Sequence, residues 1–301
     1  MIVFSARAHA LLHPIQQLGL RIFMILVFGQ SGQIAIELAL LGAGPCLSRA
    51  QADFENPGAL AAAIAAHRPD AVINAAAYTA VDRAEEDEAR AFQVNACAVE
   101  ELAQTCAEAG IPLVHISTDY VFDGSGTTPW RVTDLTNPQN VYGRSKLAGE
   151  NAVRAAGGPH AILRTSWVVS AHGNNFVKTM VRLGAERETL SVVADQIGAP
   201  TCARDIAAAC LDIAQQLRMD PSKSGTYHYQ ARPFASWADV ARAVFEQADL
   251  RCSVADIPSA QYPTPATRPL NSRLDCSATK HHLGIEMPDW RAGLKAILQE
   301  L

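Results

Sequence analysis

A tyrosine and a lysine four residues apart form the pair in this chain that is best suited to chemistry. They are Tyr142 and Lys146, in the segment Tyr-Gly-Arg-Ser-Lys. In a helix, positions i and i+4 lie on one face, so the phenol and the ammonium can reach into one site. An ammonium beside a phenol favours the phenolate and lowers the pKa of the tyrosine. The pair therefore suits proton transfer at a sugar or alcohol oxygen while a hydride moves at the attached carbon.

Tyr-x-x-x-Lys alone also fits a solvated helix face with a packed tyrosine, so the surrounding elements decide between the two interpretations. From Met24 to about Thr165, apolar runs rich in β-branched residues alternate with Ala-rich segments. The apolar runs predict strands at residues 25–28, 71–74, 113–117 and 161–164. The segments between them predict helices at residues 33–41, 57–67, 81–109 and 139–156. Such alternation predicts an α/β fold with a doubly wound, Rossmann-type parallel sheet.

After Trp167 the pattern is less regular and is interrupted by several prolines. This predicts a smaller C-terminal substrate-binding region over the ends of the strands, where ligands of open α/β sheets bind. Residues 24–165 are assigned to the dinucleotide-binding domain, with about 202–232 returning to it. Residues 166–201 and 233–301 are assigned to the substrate-binding region. Residues 1–23 are interpreted as an extension or a wrongly assigned start, because Met24 begins the first predicted strand.

The composition excludes several classes of function. The 25 basic and 30 acidic residues form no basic stripe, so no nucleic-acid partner is expected. Residues 1–23 are too interrupted by charged residues and proline to span a bilayer, so no membrane partner is expected. The seven cysteines are scattered without a C-x-x-C pair, which predicts reduced thiols in a cytoplasmic protein. The nine histidines show no metal-ligand spacing, so no metal site is inferred.

A glycine turn directly follows the first predicted strand and opens a helix. The segment is Gly29-Gln-Ser-Gly32-Gln-Ile-Ala35, a relative of the dinucleotide-binding fingerprint. Glycine allows the backbone to approach a pyrophosphate, and the helix N-terminus offers N–H groups to it. Small or hydroxyl side chains also end the next two strands, in residues 74–79 and at Ser117 and Thr118. These strand ends and the Tyr142 helix form an ordered set along one edge of the predicted sheet.

The ordered set resembles the dTDP-4-dehydrorhamnose reductase family, within the extended short-chain dehydrogenases/reductases. The most specific segments are Ser-Thr-Asp-Tyr-Val-Phe at 117–122 and Arg-Pro-Leu-Asn-Ser at 268–272. The resemblance runs from Met24 nearly to the C-terminus. It implies NAD(P)H-dependent reduction of the C4 keto group of dTDP-4-dehydro-L-rhamnose to dTDP-L-rhamnose, so the expected partner is a small nucleotide-sugar substrate.

The resemblance also implies roles for individual residues. Tyr142 would protonate the C4 oxygen, Lys146 would bind the nicotinamide ribose and keep the tyrosine acidic, and Thr118 would donate to the same oxygen. The implied cofactor residues, besides Tyr142 and Lys146, are Gly29, Gly32, Gln33, Ile34, Asp53, Phe54, Ala77, Tyr78 and Thr79. The implied substrate residues, besides Thr118, are Asp119, Trp167, Asn175, Arg268 and Asn271. For Arg268, a surface ion pair is the competing interpretation.

The chain departs from the family pattern at three places. Ser48 and Arg49 stand where family members often carry an acid that favours NADH. A hydroxyl and a guanidinium suit a ribose 2′-phosphate, so the sequence predicts NADPH as the preferred cofactor and leaves NADH open. Val132 replaces a glutamate and Val169 an aromatic residue common in the family, which affects the shape expected for the sugar pocket.

Two other functions fit the same residues. One is another nucleotide-sugar reductase or epimerase, and the other is a non-catalytic NADP-binding regulatory subunit on the same fold. The intact set of Thr118, Tyr142 and Lys146 favours an enzyme. The exact nucleotide and sugar, a homodimeric state and a dependence on Mg²⁺ stay open at this point.

Overall fold

Short apolar strands, buried on both faces, form the centre of the protein. The structure is a computed structural model that describes residues 23–301. Its first strands are β1 (Ile25–Phe28), β2 (Cys46–Leu47), β3 (Ala71–Asn74), β4 (Leu113–Thr118) and β5 (His160–Thr165). The helices between them are α1 (Gln33–Leu40), α2 (Ala59–His67), α3 (Val81–Ala84), α4 (Glu88–Phe92), α5 (Ala98–Glu108) and α6 (Val141–Ala156). A π-helical turn, Gln93–Cys97, joins α4 to α5, and a 3₁₀ turn, Asp119–Val121, follows β4.

The second half contains shorter strands and longer helices. Its strands are β6 (Val168–Val169), β7 (Thr189–Val193), β8 (Ile197–Gly198), β9 (Thr201–Cys202), β10 (Gly225–His228), β11 (Ala235–Ser236) and β12 (Ser253–Ile257). Its helices are α7 (Phe176–Glu186), α8 (Ala203–Met219), α9 (Trp237–Gln247), α10 (Ser277–Leu283) and α11 (Trp290–Gln299). Strand β10 joins the main sheet, whereas the other strands pair as β6 with β9, β7 with β12 and β8 with β11.

The main sheet has six parallel strands in the order β10-β5-β4-β3-β1-β2. Helices α1 and α8 cover one face, where Leu38 and Ile213 are buried. Helices α2, α5 and α6 cover the other face, where Leu60 and Leu102 are buried. Because both faces are covered, the strands are apolar on both sides instead of alternating with polar residues. The predicted doubly wound Rossmann-type sheet is therefore confirmed.

The chain crosses from β2 on one side of β1 to β3 on the other side. This is the point at which an open α/β sheet leaves a crevice at the carboxyl ends of its strands. The residues that follow β1, β3 and β4 are therefore brought to one edge. A separate apolar core, which includes Val177, Val244 and Trp290, lies within the second half of the chain.

The four predicted strands are present, but the helix predicted over residues 81–109 is wrong as a single element. It is divided into α3, α4, the π turn and α5. The break after α3 frees the Glu85 carboxylate to accept a hydrogen bond from Val141 N at 2.8 Å, at the start of α6. The interpretation of residues 1–22 lies outside the described residues. In the described part of the chain, no helix has the length and apolar character needed to cross a bilayer.

Candidate active site

The glycine turn after β1 is packed too closely to carry a side chain. Gly29 has φ = +116°, and a Cβ there would lie 3.2 Å from the carbonyl carbon of Ala75, which follows β3. Only glycine combines this conformation with such a close approach. Gly32 caps α1 and contributes no side-chain hydrogen bond, so the first N–H groups of α1 have no capping side chain. This arrangement fits the pyrophosphate of a dinucleotide.

Gln33, in the first turn of α1 together with Ile34, is fixed by the second half of the chain. Its Oε1 accepts hydrogen bonds from Ser170 Oγ at 3.1 Å and from Asn175 Nδ2 at 2.9 Å. Asn175 caps α7 by accepting a hydrogen bond from Lys178 N at 3.2 Å. Both Gln33 and Asn175 therefore have protein partners and join the cofactor-side helix to the region that follows β5.

The strand end after β3 is organised by a residue that the sequence did not indicate. The half-buried residues Ala77 and Tyr78, with exposed Thr79 after them, form this strand end. Asn95, in the π turn, accepts a hydrogen bond from Tyr78 N at 2.9 Å and donates to Tyr78 O at 3.1 Å. It also donates to Ser145 Oγ on α6 at 3.0 Å. The π turn thus links the strand end after β3 to the helix of Tyr142. In the sequence, only an unusual helical period could have revealed this turn.

The predicted adenine-side residues lie together after β2. The exposed guanidinium of Arg49 lies 3.0 Å from Glu55 and 3.6 Å from Asp53. Ser48 Oγ donates to Gln51 at 2.9 Å. The buried ring of Phe54 packs edge-to-face on Phe28 of β1, with ring centroids 6.0 Å apart. The structure therefore places all four predicted residues at the same edge of the sheet as the glycine turn.

Tyr142 and Lys146 lie in the first two turns of α6, as the sequence predicted. Asn140 caps this helix by accepting a hydrogen bond from Gly143 N at 2.8 Å. A Cβ at Gly143 would lie 2.3 Å from Tyr120 O, so glycine is needed for α6 to approach the 3₁₀ turn after β4. The Tyr142 ring packs edge-to-face on Tyr120, with centroids 5.5 Å apart. Thr118, at the end of β4, is close enough for its hydroxyl to act on the Tyr142 phenol.

The protonation of the pair differs from the sequence-based expectation. Burial raises the pKa of Tyr142 to about 12, and the Thr118 hydroxyl lowers it by less. The Lys146 amino group donates to Ile116 O at 2.7 Å and lies 3.4 Å from His115 Nε2. The expectation that Lys146 lowers the tyrosine pKa is therefore wrong in this structure, because burial dominates and the amino group is held by β4. Burial also lowers the pKa of Lys146 to about 8.

A buried carboxyl group lies beside the pair. Asp119 is 3% exposed, its Oδ1 accepts from Thr118 Oγ1 at 3.1 Å, and its Oδ2 has no partner among the described residues. Burial raises its pKa to about 6, while the hydroxyls of Ser272 and Thr118 act in the opposite direction. Ser272 Oγ is also buried without a hydrogen-bond partner in the described chain. Because the Ser272 hydroxyl acts on the pKa of Asp119, the two groups are neighbours. Neither Asp119 Oδ2 nor Ser272 Oγ completes a hydrogen bond in the described chain, which fits a cleft that receives a polar ligand.

Three aromatic side chains that follow β5 in the sequence, Trp167, Phe176 and Trp237, pack together and form an aromatic wall. Trp167 has φ = +49°, a conformation that is strained for a bulky residue and that recurs at functional sites. Its ring stacks on Trp237, with centroids 3.6 Å apart, and Phe176 packs on Trp237 at 4.5 Å. The sequence singled out Trp167 but not Trp237, which precedes no recognisable motif. Val169, one of the departures from the family pattern, is buried in β6, and Val132 is half-buried before α6.

A buried ion pair anchors α6, the helix of Tyr142 and Lys146, to the sheet. Glu150, one turn after Lys146, accepts from Arg164 Nε at 2.8 Å and Nη2 at 2.7 Å. It also accepts from Ser117 Oγ at 2.7 Å and from Arg154 Nη2 at 2.6 Å. These hydrogen bonds hold the pKa of Glu150 below its ordinary value despite burial. The sequence motifs did not identify this pair, because it joins residues from α6, β4 and β5.

Arg268 and Asn271 have protein partners. Arg268 Nη2 lies 2.6 Å from the Asp82 carboxylate, so the structure contains the ion pair that the sequence left as an alternative. Asn271 Nδ2 donates to Ser125 O at 3.1 Å and Thr128 O at 2.9 Å. Its Oδ1 accepts from Arg273 Nη1 at 3.0 Å. A contact between either residue and a substrate stays a prediction. In the described residues, no group of three or more His, Cys, Asp or Glu side chains could hold a metal ion.

Comparison with known proteins gives one consistent result. The sequence model of the family described as RmlD substrate binding domain matches residues 23–301. A dTDP-4-dehydrorhamnose reductase of Burkholderia thailandensis is 46% identical over 293 residues, which cover 92% of this chain and 98% of that protein. The enzyme of the same name from Escherichia coli strain K12 is 43% identical over 92% of this chain and 97% of that protein.

Solved structures of proteins with this name have the same fold. The dTDP-4-dehydrorhamnose reductase of Clostridium acetobutylicum superposes with a TM-score of 0.85 at 35% identity and covers 92% of this chain and 98% of that one. The Bacillus anthracis enzyme, solved in complex with NADP, superposes with a TM-score of 0.87 at 32% identity. That match covers 93% of this chain and all of the other.

Proposed function

The chain belongs to the RmlD substrate binding domain family, and from this membership we propose that it is an NADPH-dependent dTDP-4-dehydrorhamnose reductase. It reduces the C4 keto group of dTDP-4-dehydro-L-rhamnose to the alcohol of dTDP-L-rhamnose. The observation that carries the proposal is that Thr118, Tyr142 and Lys146 lie together at the sheet edge that also carries the glycine turn, in a chain that is 43% identical to named reductases over 92% of its length.

The protonation of Tyr142 suits an acid in the direction of reduction. A bound nicotinamide cofactor supplies the hydride to C4. Because burial raises the tyrosine pKa to about 12, the phenol is protonated at neutral pH and can give its proton to the C4 oxygen. The Thr118 hydroxyl has one proton, which Asp119 Oδ1 accepts at 3.1 Å in this structure. We assign it a turn away from that carboxylate, so that it donates a hydrogen bond to the C4 oxygen as negative charge develops there. We assign Lys146, whose amino group donates to Ile116 O at 2.7 Å, to the ribose of the cofactor.

The sugar is assigned to the cleft between the 3₁₀ turn after β4 and the aromatic wall. Asp119 would accept hydrogen bonds from sugar hydroxyls through its unpartnered Oδ2. Trp167, held by its stack on Trp237, would present an apolar face to the sugar ring. The nucleotide end is assigned to the region of Asn175, Arg268 and Asn271. To bind a diphosphate, the Arg268 guanidinium would have to leave the Asp82 carboxylate or contact both groups at once.

The division of labour along the chain is assigned as follows. Residues 24–165 and about 202–232 bind the cofactor, and residues 166–201 and 233–301 bind the substrate. Two observations support this division. Strand β10 belongs to the main sheet and α8 packs on it, whereas the second half of the chain has a separate apolar core. A homodimer is one assembly open to the chain, and sedimentation velocity on the purified protein distinguishes it from a monomer.

NADPH is the assigned cofactor, with Ser48 and Arg49 holding its 2′-phosphate. The exposed Arg49 follows the carboxyl end of β2, where a ribose would lie. Arg49→Ala is expected to lower kcat/KM for NADPH about tenfold or more and to leave NADH nearly unchanged, since one charge-assisted hydrogen bond contributes roughly 1.5–3 kcal/mol. Arg182→Ala, at an exposed ion pair on α7, is the control. A wild-type protein with the higher kcat/KM for NADH contradicts this assignment.

The reaction itself is tested by NADPH oxidation with dTDP-4-dehydro-L-rhamnose. Tyr142→Phe is expected to lower kcat by roughly 10²–10⁴-fold, because it removes the acid, while NADPH binding is retained. Tyr262→Phe, at a tyrosine that is 63% exposed, is the matched control and is expected to be fully active. Absence of turnover by the wild type, or full activity of Tyr142→Phe, rules out the proposed reaction.

A further inference from the structure

A buried histidine lies directly behind Lys146. His115, on β4, has no exposed surface and is held between two side chains. Its Nδ1 lies 3.1 Å from Asn74 Nδ2 on the neighbouring strand β3. Its Nε2 lies 3.4 Å from Lys146 Nζ on α6. The three residues form a continuous polar chain from the sheet to the catalytic helix.

The backbone determines which way the Asn74 amide points. Ala76 N lies 3.1 Å from Asn74 Oδ1 and can only donate a hydrogen bond. The atom that faces it must therefore be the amide oxygen, so the NH₂ group of Asn74 faces His115. An NH₂ group can only donate, and Nδ1 of His115 must therefore accept. The proton of the neutral imidazole is then on Nε2, where it faces the Lys146 amino group.

This tautomer makes the charge on Lys146 unfavourable. An ammonium has no lone pair and would meet the Nε2–H group of His115 donor to donor. A neutral amine can accept from Nε2–H while it donates to Ile116 O, which lies 2.7 Å away. Every polar atom of the chain from Ala76 to Ile116 is then paired. The complete hydrogen-bond pattern is reached only when Lys146 is uncharged.

The other groups around Lys146 act in both directions. On α6, the Glu150 carboxylate favours the charged amine, but its charge is shared with Arg164 on β5 and Arg154 on α6. Tyr142 lies on the same helix and is uncharged at neutral pH because burial raises its pKa to about 12. Burial lowers the pKa of Lys146 to about 8, and burial and Lys146 together hold the pKa of His115 well below its ordinary value. The imidazole therefore stays neutral and keeps a defined tautomer.

We propose that Asn74 and His115 are positioning residues that act through Lys146: Asn74 fixes the proton of His115 on Nε2, and this N–H group holds the lysine in its uncharged form at mildly alkaline pH. The lysine then exchanges its proton near pH 8 instead of remaining permanently charged. An effect of this proton exchange on turnover rests on the proposed function of Lys146. The tautomer of His115 and the charge of Lys146 do not rest on it.

The lysine charge can be measured without turnover. The chain has five lysines, so a protein labelled with ¹³C at lysine Cε gives five resonances that report ionisation. The Lys146 resonance is the one that is missing from Lys146→Met. In the wild type we expect it to titrate near pH 8, well below the ordinary lysine value of about 10.4. A Lys146 midpoint at the ordinary value would overturn the proposal.

Asn74→Asp reverses the pattern with a nearly isosteric side chain. One carboxylate oxygen still accepts from Ala76 N, and the other requires Nδ1–H, so Nε2 becomes a bare acceptor that faces an ammonium. The Lys146 midpoint should rise by about one pH unit or more. The new charge is separated from the tautomer by repeating the substitution in a His115→Leu background. A much smaller rise there supports the proposal, and an equal rise overturns it.

The tautomer of His115 is read directly from the ¹⁵N resonances of labelled histidine in the wild-type protein. This measurement therefore does not depend on whether a variant folds. His115 is assigned by the signal lost in His115→Leu, or by its contacts to Lys146 in the wild type. Protonation of Nε2 is expected, and protonation of Nδ1 overturns the proposal. A protein with the expected tautomer but no activity on dTDP-4-dehydro-L-rhamnose refutes the proposed function alone. An active reductase with the opposite tautomer refutes this inference alone.

Discussion

Removal of the charge at Glu150 is the most demanding test of how the catalytic helix is held. The Glu150 side chain has no exposed surface and pairs with Arg164, whose side chain is 2% exposed. Both oxygens of the carboxylate accept from this guanidinium, at 2.7 and 2.8 Å. Glu150→Gln keeps the shape of the side chain but replaces one acceptor by an NH₂ group. The Arg164 charge is then left buried opposite a donor.

The size of the effect follows from burial. Breaking a buried ion pair by neutralising one partner costs about 3–5 kcal/mol, since the remaining charge is uncompensated. With an unfolding entropy of about 2.1 cal/mol/K per residue, 1 kcal/mol shifts the Tm of this 301-residue chain by roughly 1.6 °C, so Tm should fall by roughly 5–8 °C. The exposed pair of Arg182 and Glu186 provides the matched control, because their side chains are 62% and 57% exposed. Glu186→Gln should cost about 0.5 kcal/mol or less.

Both variants are compared by urea unfolding, followed by fluorescence and circular dichroism. Arg164→Met in the Glu150→Gln background should recover part of the loss, because no uncompensated buried charge then remains. A Glu150→Gln variant that unfolds at the same urea concentration as Glu186→Gln would refute the reasoning. Assayed well below its Tm, Glu150→Gln should also have lower kcat, because the pair holds the helix that carries Tyr142.

Three further predictions concern the glycine turn, the buried carboxyl group and the aromatic wall. Gly29→Ala should raise the Kd for NADPH at least tenfold, measured by fluorescence titration, because the added Cβ meets the Ala75 backbone at 3.2 Å; an unchanged Kd contradicts the close approach. The pKa of Asp119 is raised to about 6, so the unfolded chain loses this proton first as pH rises. The free energy of unfolding should therefore fall by about 2 kcal/mol between pH 4 and 6, and Asp119→Asn should remove that component. Trp237→Leu should raise KM for the nucleotide sugar and leave the Kd for NADPH unchanged, because it removes the ring stacked on Trp167; a change in Kd alone would contradict this.

The sequence predicted those parts of the fold that depend on local patterns. The apolar strands β1, β3, β4 and β5 and the helix of Tyr142 are encoded by periodicity, and the turn at Gly29 by the absence of a side chain. Parallel pairing follows from strand–helix alternation. The sequence could not show the π turn in residues 93–97, because Asn95 is needed there for contacts with residues far along the chain.

The site was less predictable than the fold. Arg164, the buried partner of Glu150, and Asp82, the partner of Arg268, lie on other elements, so no spacing in the sequence connects these pairs. The pKa of Tyr142 was predicted in the wrong direction, because burial is a property of the whole packed structure and outweighs a neighbouring charge. The chemistry-bearing residues could be found from their types, but their protonation required the fold.

The position of β10 has a consequence for how the chain acquires its structure during synthesis. Residues 225–228 pair with residues 161–164, so the segment between them must be made before the edge of β5 can be covered. Pairing over such sequence separations slows folding, and an uncovered parallel strand offers its backbone to other chains. A nascent chain that has not yet reached residue 225 therefore exposes the unpaired edge of β5, where other chains can associate. Protection by chaperones matters most while residues 166–224 are being synthesised.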